Sequence, residues 1–305
     1  MAMIEVAVVG GGPAGLTAAL YAARAGRSVT VFEGNSFGGQ ITQSPLVENY
    51  PGLANVSGME LGDRMYVQAE QAGATLSFSG VETIQKSATG TFLLTTEDGI
   101  VEALSVIYAA GAAPRHLELP GEDALVGRGL SYCALCDGAF FANQDVAVAG
   151  GGNTALEDAL YLSERCRSVT LIHRRNTFRA ESALVERAKA TGNLTIVTQA
   201  QITALLAQDG NLTGLLLQKQ DGTAKALAVS GLFVAFGRVP DTAPLSGLAP
   251  RDEQGYVLTD DQMQTPTPGL FAAGDCRHKQ IRQLTTAVSD GTVAAISACR
   301  YLGNR

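Results

Sequence analysis

The chain has 305 residues, 46% of them hydrophobic and 35 of them glycine, with a formal net charge of −7. That length supports two domains more readily than one, and the glycines fit many tight turns. The acidic balance and the lack of any long basic run exclude nucleic acid as an expected partner. The apolar stretch 6–25 is no membrane span, because Gly10, Gly11, Gly12 and Pro13 break it into halves too short to cross a bilayer.

Residues 4–9 read as a buried parallel strand. Gly10-x-Gly12-x-x-Gly15 follows at once, with Pro13 and Ala14 inside the turn. An alanine-rich helix over 16–25 and a second strand over 28–32 come next, and Glu33 ends the strand. This is the full context of a dinucleotide-binding unit. The glycines let the backbone approach a pyrophosphate, and the helix start offers unpaired N–H groups to the anion. Glu33, 21 residues beyond Gly12, is placed to bind a ribose hydroxyl. The alternative is a glycine turn without a ligand, against which the strand, helix, second strand and acid in order weigh.

Gly38-Gly39-Gln40 and the segment 47–52, which holds Asn49, read as ordered loops. Residues 59–72 are helical in pattern. From 75 to 108 the period drops to two, with a hairpin turn expected at Asp98-Gly99, and 106–110 form an apolar strand.

Cys133 and Cys136 then form a C-x-x-C pair inside Ser131–Asp137. The spacing lets two sulfurs close a small ring that opens and shuts with two electrons. No export signal stands out, so a reducing cytoplasm is expected, where such a pair is more often catalytic or metal-binding than structural. Half of a zinc site would need two more ligands. Cys166, Cys276, Cys299 and three scattered histidines form no second pair, so no metal is expected. His116 and His278 have no catalytic context in the sequence. Asp137 can serve as a helix N-cap.

The first layout repeats after the cysteines. A strand over 145–149 runs into Gly150-x-Gly152-x-x-Ala155, with Asn153 and Thr154 in the turn, and a helix over 156–163 leads to a strand over 168–172. Here no acid ends the second strand. His173, Arg174 and Arg175 stand there, with Arg179 shortly after. Planar, permanently charged guanidiniums suit a 2′-phosphate, which points to NADPH over NADH; a solvated basic face is the alternative. A β-rich segment fills 193–229 and a strand over 232–236 closes the unit. A last strand over 269–275 ends in Gly274-Asp275, and a helix covers 285–301. The first unit lacks such a final strand, so this piece can complete it. The expected fold class is therefore α/β, with two Rossmann-like, doubly wound, three-layer domains, the second inserted in the first. The expected boundaries are 1–113 with 244–305 for one domain and 114–243 for the other.

Taken together, these motifs resemble the low-molecular-weight thioredoxin reductases, a family of FAD flavoproteins, over nearly the whole chain. Gly10-Gly11-Gly12-Pro13-Ala14-Gly15 is similar to that family's FAD phosphate turn, and Gly39, Gln40 and Asn49 to its flavin-contacting loops. Cys133-Ala134-Leu135-Cys136-Asp137-Gly138 is similar to its redox motif. Gly150-Gly151-Gly152-Asn153-Thr154-Ala155 and His173-Arg174-Arg175 with Arg179 are similar to its NADPH motifs, and Gly274-Asp275 with Arg282-Gln283 to its second FAD signature. The chain departs from the pattern at Ile281, in the basic run Arg277-His278-Lys279, and at Val288-Ser289-Asp290, where an acid near the flavin would alter its potential.

The resemblance implies electron transfer from NADPH through FAD and a Cys133–Cys136 disulfide to thioredoxin or a thioredoxin-like protein, in a cytoplasmic homodimer. It implies that Cys136 faces the flavin, that Cys133 attacks the partner and that Asp137 exchanges the proton. Alternatives are the same fold fed by ferredoxin or a second flavin, or a flavin-dependent dithiol oxidase. One donor site and the cysteines share an inserted unit, so its connections, near 112–119 and 237–244, are expected to act as hinges.

Overall fold

The computed structural model describes residues 3–53 and 55–304. In chain order the elements begin β1 (Ile4–Val9), α1 (Pro13–Arg24), β2 (Val29–Phe32), α2 (Gly58–Gln71), β3 (Thr75–Ser77), β4 (Val81–Lys86), β5 (Phe92–Thr96), β6 (Gly99–Tyr108) and β7 (Ala112–Pro114). There follow α3 (Glu122–Leu125), β8 (Leu130–Ser131), α4 (Ala134–Asp137), β9 (Asp145–Gly150), α5 (Asn153–Ser163), β10 (Ser168–His173) and α6 (Ser182–Ala190). The rest are β11 (Leu194–Thr198), β12 (Ala200–Gln208), β13 (Asn211–Lys219), β14 (Ala224–Ala228), β15 (Gly231–Ala235), β16 (Arg238–Pro240), β17 (Leu270–Ala272) and α7 (Leu284–Gly303).

The chain divides into two compact units, Met1–Ala113 with Val239–Arg305, and Pro114–Arg238. The second crossing falls before the expected 243–244 boundary. Residues 241 and 242 stay with the first unit because the Tyr108 hydroxyl donates to the Asp241 carbonyl at 2.9 Å and the Thr242 hydroxyl to the Gly255 carbonyl at 2.8 Å.

In the first unit the sheet runs β3-β2-β1-β6-β5-β4, with β1, β2, β3 and β6 parallel. β6 is long enough to serve two neighbours on one side. Its start pairs antiparallel with β5, and its end, 106–108, pairs parallel with β17. The strand from the end of the chain thus completes the sheet begun at residue 4, as the missing final strand implied. Val6 and Val8 face the small-residue cluster of α1 and α7, with Ala18, Ala19, Ala22, Ala294, Ala295 and Ala298 all buried. Ala7 and Val9 face the other way, toward Phe92, Leu94, Tyr108 and Val257. A strand buried on both faces reads as a continuous apolar run, which is why its sequence does not alternate. The β5–β6 turn is Glu97-Asp98, with Thr96 opposite Gly99, one residue earlier than the Asp98-Gly99 signal suggested.

The second unit has an all-parallel sheet in the order β11-β10-β9-β15-β8. Val146 and Val148 of β9 pack with α5 and α6, whereas Ala147 and Ala149 pack toward the antiparallel sheet β12-β13-β14. Sheet, helices and the second sheet make the three expected layers. Helix α6 escaped the sequence reading. Among its residues only Ala188 is fully buried, so its apolar period is faint.

Candidate active site

Gly10 follows β1 with φ +103°, in the left-handed region open to glycine. A side chain there would strike the Ala109 carbonyl, and one at Gly15 would strike the Gly10 carbonyl. The turn therefore folds tightly onto itself and lifts the start of α1. Gly12 is the N-cap of α1 and makes no side-chain cap hydrogen bond. A methyl at Gly39 would come 3.0 Å from the Gly12 Cα, and one at Gly274 would come 2.8 Å from the Ala14 Cβ. So the first glycine turn, the Gly38-Gly39 loop and the Gly274-Asp275 turn converge on one helix N-terminus. This leaves a cradle of backbone with no side chain to fill it.

The polar groups around the cradle fall into two kinds. Some are already engaged. Glu33 accepts the N–H groups of Gly11 at 2.7 Å and Asn35 at 2.8 Å, one on each oxygen. Gln40 donates to the Ala112 carbonyl at 2.8 Å. Asn49 reaches Gln283 at 3.4 Å, and Gln283 forms a capping box with Thr286 at the start of α7. Arg282 lies over the Tyr256 ring at 4.0 Å. Asp275 is of the other kind. Its Oδ1 is buried and lacks a hydrogen bond among the described residues, with the Lys279 ammonium 3.5 Å away. A buried acceptor without a donor is costly unless a ligand satisfies it.

Asp290 is engaged within the protein itself. Its carboxylate takes the Gly274 N–H at 3.0 Å, the Arg277 guanidinium at 2.9 Å and the Lys279 ammonium at 2.9 Å. The basic run at 277–279 is therefore largely spent on neutralising this buried acid, which pins the Gly274-Asp275 turn to α7.

In the second unit Gly152 is the N-cap of α5, again with no side-chain cap, and a methyl added there would meet nothing within 4 Å. Gly150 is tighter, since a side chain would press on Ala155 at 2.6 Å. Asn153 turns its side chain inward, giving and taking hydrogen bonds with Glu181 at 3.1 and 2.9 Å. Thr154 is exposed. His173 is buried at 8% exposure beneath Gly151, stacked on Phe178 at 4.9 Å, with Nε2 3.0 Å from the Thr177 carbonyl. Burial holds its pKa below the usual value, and Arg175, Arg174 and Arg179 add to this against the Thr177 bond. It is a neutral floor for the loop. Arg174, Arg175 and Arg179 are exposed, and no carboxylate among the described residues pairs with them.

Cys133 and Cys136 are joined as a disulfide around α4. Cys133 caps this short turn, and its Sγ accepts the Cys136 N–H at 3.2 Å. Cys136 is exposed and Cys133 half-buried. Asp137 does not cap the turn that follows it. Its Oδ2 instead accepts the Ser131 hydroxyl at 2.6 Å, and Ser131 Oγ also accepts the Cys133 N–H at 3.0 Å. Burial raises the Asp137 pKa, opposed by the Ser131 bond. Ala134 seats α4 in the same cluster as Ala155, Leu156 and Ala159 of α5. The sulfurs and the second glycine turn are thereby held on one compact unit.

Ser131 was within the stretch the sequence singled out, but nothing in a serine's identity marks it as the carboxylate's partner. Asp158 was missed as well. It lies half-buried on α5, and burial, with Glu157 beside it, pushes its carboxyl up to about 7.

Comparison with known proteins places this arrangement. Residues 4–291 match the family model described as pyridine nucleotide-disulphide oxidoreductase. A bifunctional thioredoxin reductase/thioredoxin from Mycobacterium leprae is 44% identical over 301 residues, 98% of this chain, which spans 66% of that protein's length. A thioredoxin reductase from Treponema pallidum is 42% identical over 98% of this chain and 97% of its own. The crystal structure of thioredoxin reductase from Streptococcus pyogenes superposes with a TM-score of 0.96 at 39% identity, covering 100% of this chain and 99% of that one. The chain belongs to the pyridine nucleotide-disulphide oxidoreductase family, in its thioredoxin reductase branch.

Proposed function

We propose that the chain reduces thioredoxin or a thioredoxin-like disulfide protein, with electrons drawn from NADPH through FAD and the Cys133–Cys136 disulfide. Membership of the family implies a flavin and a pyridine nucleotide. The residues present fit both. Bound flavin supplies a two-electron carrier between nucleotide and disulfide. The backbone of Gly10, Gly12, Pro13, Ala14 and Gly15 holds its pyrophosphate at the start of α1. Glu33 has lone pairs left for a ribose hydroxyl. The orphaned Asp275 Oδ1 fits a ribityl hydroxyl donor. Gly39, Gln40, Asn49, Gly274, Arg282 and Gln283 shape the rest of that cradle. In the second unit Gly150, Gly152 and the N–H groups of Asn153 and Thr154 receive the other pyrophosphate. Arg174, Arg175 and Arg179 clasp a 2′-phosphate, over the loop that His173 supports.

The cysteines then carry out an exchange that balances. Reduced, Cys133 attacks the partner's disulfide as the thiolate, forming a mixed disulfide and releasing one partner thiolate. Cys136 attacks the Cys133 sulfur, which re-forms the ring and releases the second. The Cys136 N–H on Cys133 Sγ stabilises the attacking thiolate. Asp137, held by Ser131 and raised toward neutrality by burial, stores and returns the proton. The resemblance further supports a cytoplasmic homodimer.

The observation that carries this reading is that a closed C-x-x-C ring with a half-buried carboxyl beside it shares one unit with an open glycine turn and three exposed arginines that no carboxylate among the described residues pairs with. An anaerobic titration of the flavin-loaded protein with NADPH, followed by flavin absorbance, tests it. Prompt bleaching, with NADH much weaker, is expected. No bleaching by NADPH while dithionite still reduces the flavin would refute NADPH as the donor.

A further inference from the structure

The entry into the second unit holds a polar cluster that neither the glycine turns nor the exchange chemistry uses. Glu122, on α3, is only 4% exposed. Its carboxylate accepts the backbone N–H groups of Leu117 and Glu118 at 2.8 Å each, and that of Leu119 at 3.4 Å. A further donor is the Tyr132 hydroxyl, 2.7 Å from Oε1. Having given its proton to Glu122, that hydroxyl faces His116 Nδ1 at 2.9 Å as an acceptor, and the two rings meet edge-on at 5.2 Å. His116 Nδ1 also lies 3.6 Å from Glu122 and 3.9 Å from Asp123.

Two features make the cluster more than a loop brace. Glu118 sits at φ +62°, in the left-handed region that non-glycine residues avoid, and the Glu122 carboxylate holds its N–H there. Strain of this kind persists only where the surroundings over-determine it, and it gathers near functional sites. Further, Tyr132 is bonded directly to Cys133, whose N–H is tied to Ser131, the partner of Asp137. One buried carboxylate therefore joins the 117–119 backbone to the residue that precedes the redox sulfur. Burial and Glu122 push the Tyr132 phenol up, so it remains a donor throughout the working range.

We propose that Glu122 and Tyr132, with His116 on their outer side, are positioning residues for the redox disulfide. They fix the backbone entering Cys133 and so set how readily the Cys133–Cys136 pair exchanges with its protein substrate. The inference rests on reading that disulfide as the redox centre. None of the three residues touches the reacting sulfurs in the contacts described, so they act through the chain and not as acids or bases.

The test uses the flavin-loaded, full-length protein and Tyr132→Phe. The variant is expected to lower kcat/KM for thioredoxin roughly five- to tenfold, the loss that one ordinary hydrogen bond commands, since Glu122 keeps its backbone donors. Flavin bleaching by NADPH is expected to keep its wild-type rate. The fraction of oxidised Cys133–Cys136 in glutathione buffers of graded ratio, read by thiol labelling, should shift by a similar factor. Glu122→Gln should shift both readouts further in the same direction. If that variant fails to fold, His116→Asn supplies a milder second point, with a smaller shift of the same sign. A lowered melting temperature in Tyr132→Phe with both readouts unchanged would overturn the inference and leave the cluster a mere brace. Failure of the proposed function would show in the wild type, as absent bleaching and absent thioredoxin turnover. The glutathione equilibrium would still decide this inference.

Discussion

Asp137 and Asp158 are carboxyls of one unit that burial shifts in the same direction, and they answer to different measurements. Asp137 lies next in sequence to Cys136 and bonds to Ser131. Asp137→Asn keeps the shape and removes the proton store, so thioredoxin reduction should fall by roughly 10²-fold, while flavin bleaching by NADPH survives. Equal loss of both steps would point to misfolding. Asp158 bears on stability. Its folded pKa of about 7 stands above the ordinary aspartate value of 3.8, so between the two the folded state holds a proton that the unfolded chain has released. Its contribution is therefore harmless below about pH 4, becomes destabilising as pH rises toward 7, and is constant above that. Asp158→Asn should match the wild type in acid and exceed it in Tm at pH 8 by several degrees, roughly 5–15 °C. Melting curves that stay parallel from pH 4.5 to 8 would contradict this. Among the cations, Arg174→Ala, Arg175→Ala and Arg179→Ala should each raise KM for NADPH by roughly tenfold and leave NADH almost unaffected, because only the former carries the 2′-phosphate. Steady-state kinetics with both nucleotides read the ratio directly.

Between strand and helix, the glycine turns shape the candidate site more than any side chain does. At Gly15 an added methyl meets the Gly10 carbonyl, and α1 cannot retreat because Ala14 and Gly291 of α7 are already packed together. Gly15→Ala should cost about 1–3 kcal/mol and release flavin, seen as a lower flavin-to-protein ratio after gel filtration. Retention of a full complement of flavin would sink this account of the turn. These turns were legible in the sequence because their chemistry is local. Glycine spacing, an apolar run on each side and an acid at a set distance all lie within about thirty residues. The same holds for β17, recognised as the missing last strand of the first unit. What could not be read is how side chains spend their hydrogen bonds. Asn153 turns in to Glu181, His173 floors a loop and Asp290 neutralises a basic run, and each pairing depends on residues brought together only by folding. Glu122, Tyr132 and His116 show the same limit, since their spacing matches no helical or strand period. Helix α6 was missed for a different reason: it has one fully buried residue, Ala188, with Leu184 and Val185 only partly covered.

The two units differ in how the chain supplies them. Pro114–Arg238 is one continuous run with two buried clusters of its own, and its ends are tied by the Arg115 N–H on the Gly237 carbonyl at 3.0 Å. Expressed alone, this segment should fold cooperatively, form the Cys133–Cys136 disulfide and be retained on immobilised 2′,5′-ADP. A noncooperative denaturant transition would show that it needs the rest of the chain. The first unit has no such independence, since its sheet and its small-residue core draw on both ends of the sequence.

That dependence has a consequence during synthesis. When the ribosome has made β6, the half-sheet it belongs to still lacks β17, and α1 still lacks α7 to cover its alanine face. At about 5–20 residues per second, the remaining stretch to the end of α7 takes roughly ten to forty seconds to emerge. Through that interval an open strand edge and an oily helix face wait in the nascent chain, while the inserted unit can already close. The last unit to be finished is the one whose first strand left the ribosome earliest, and its early segments are where a holding chaperone would be most needed.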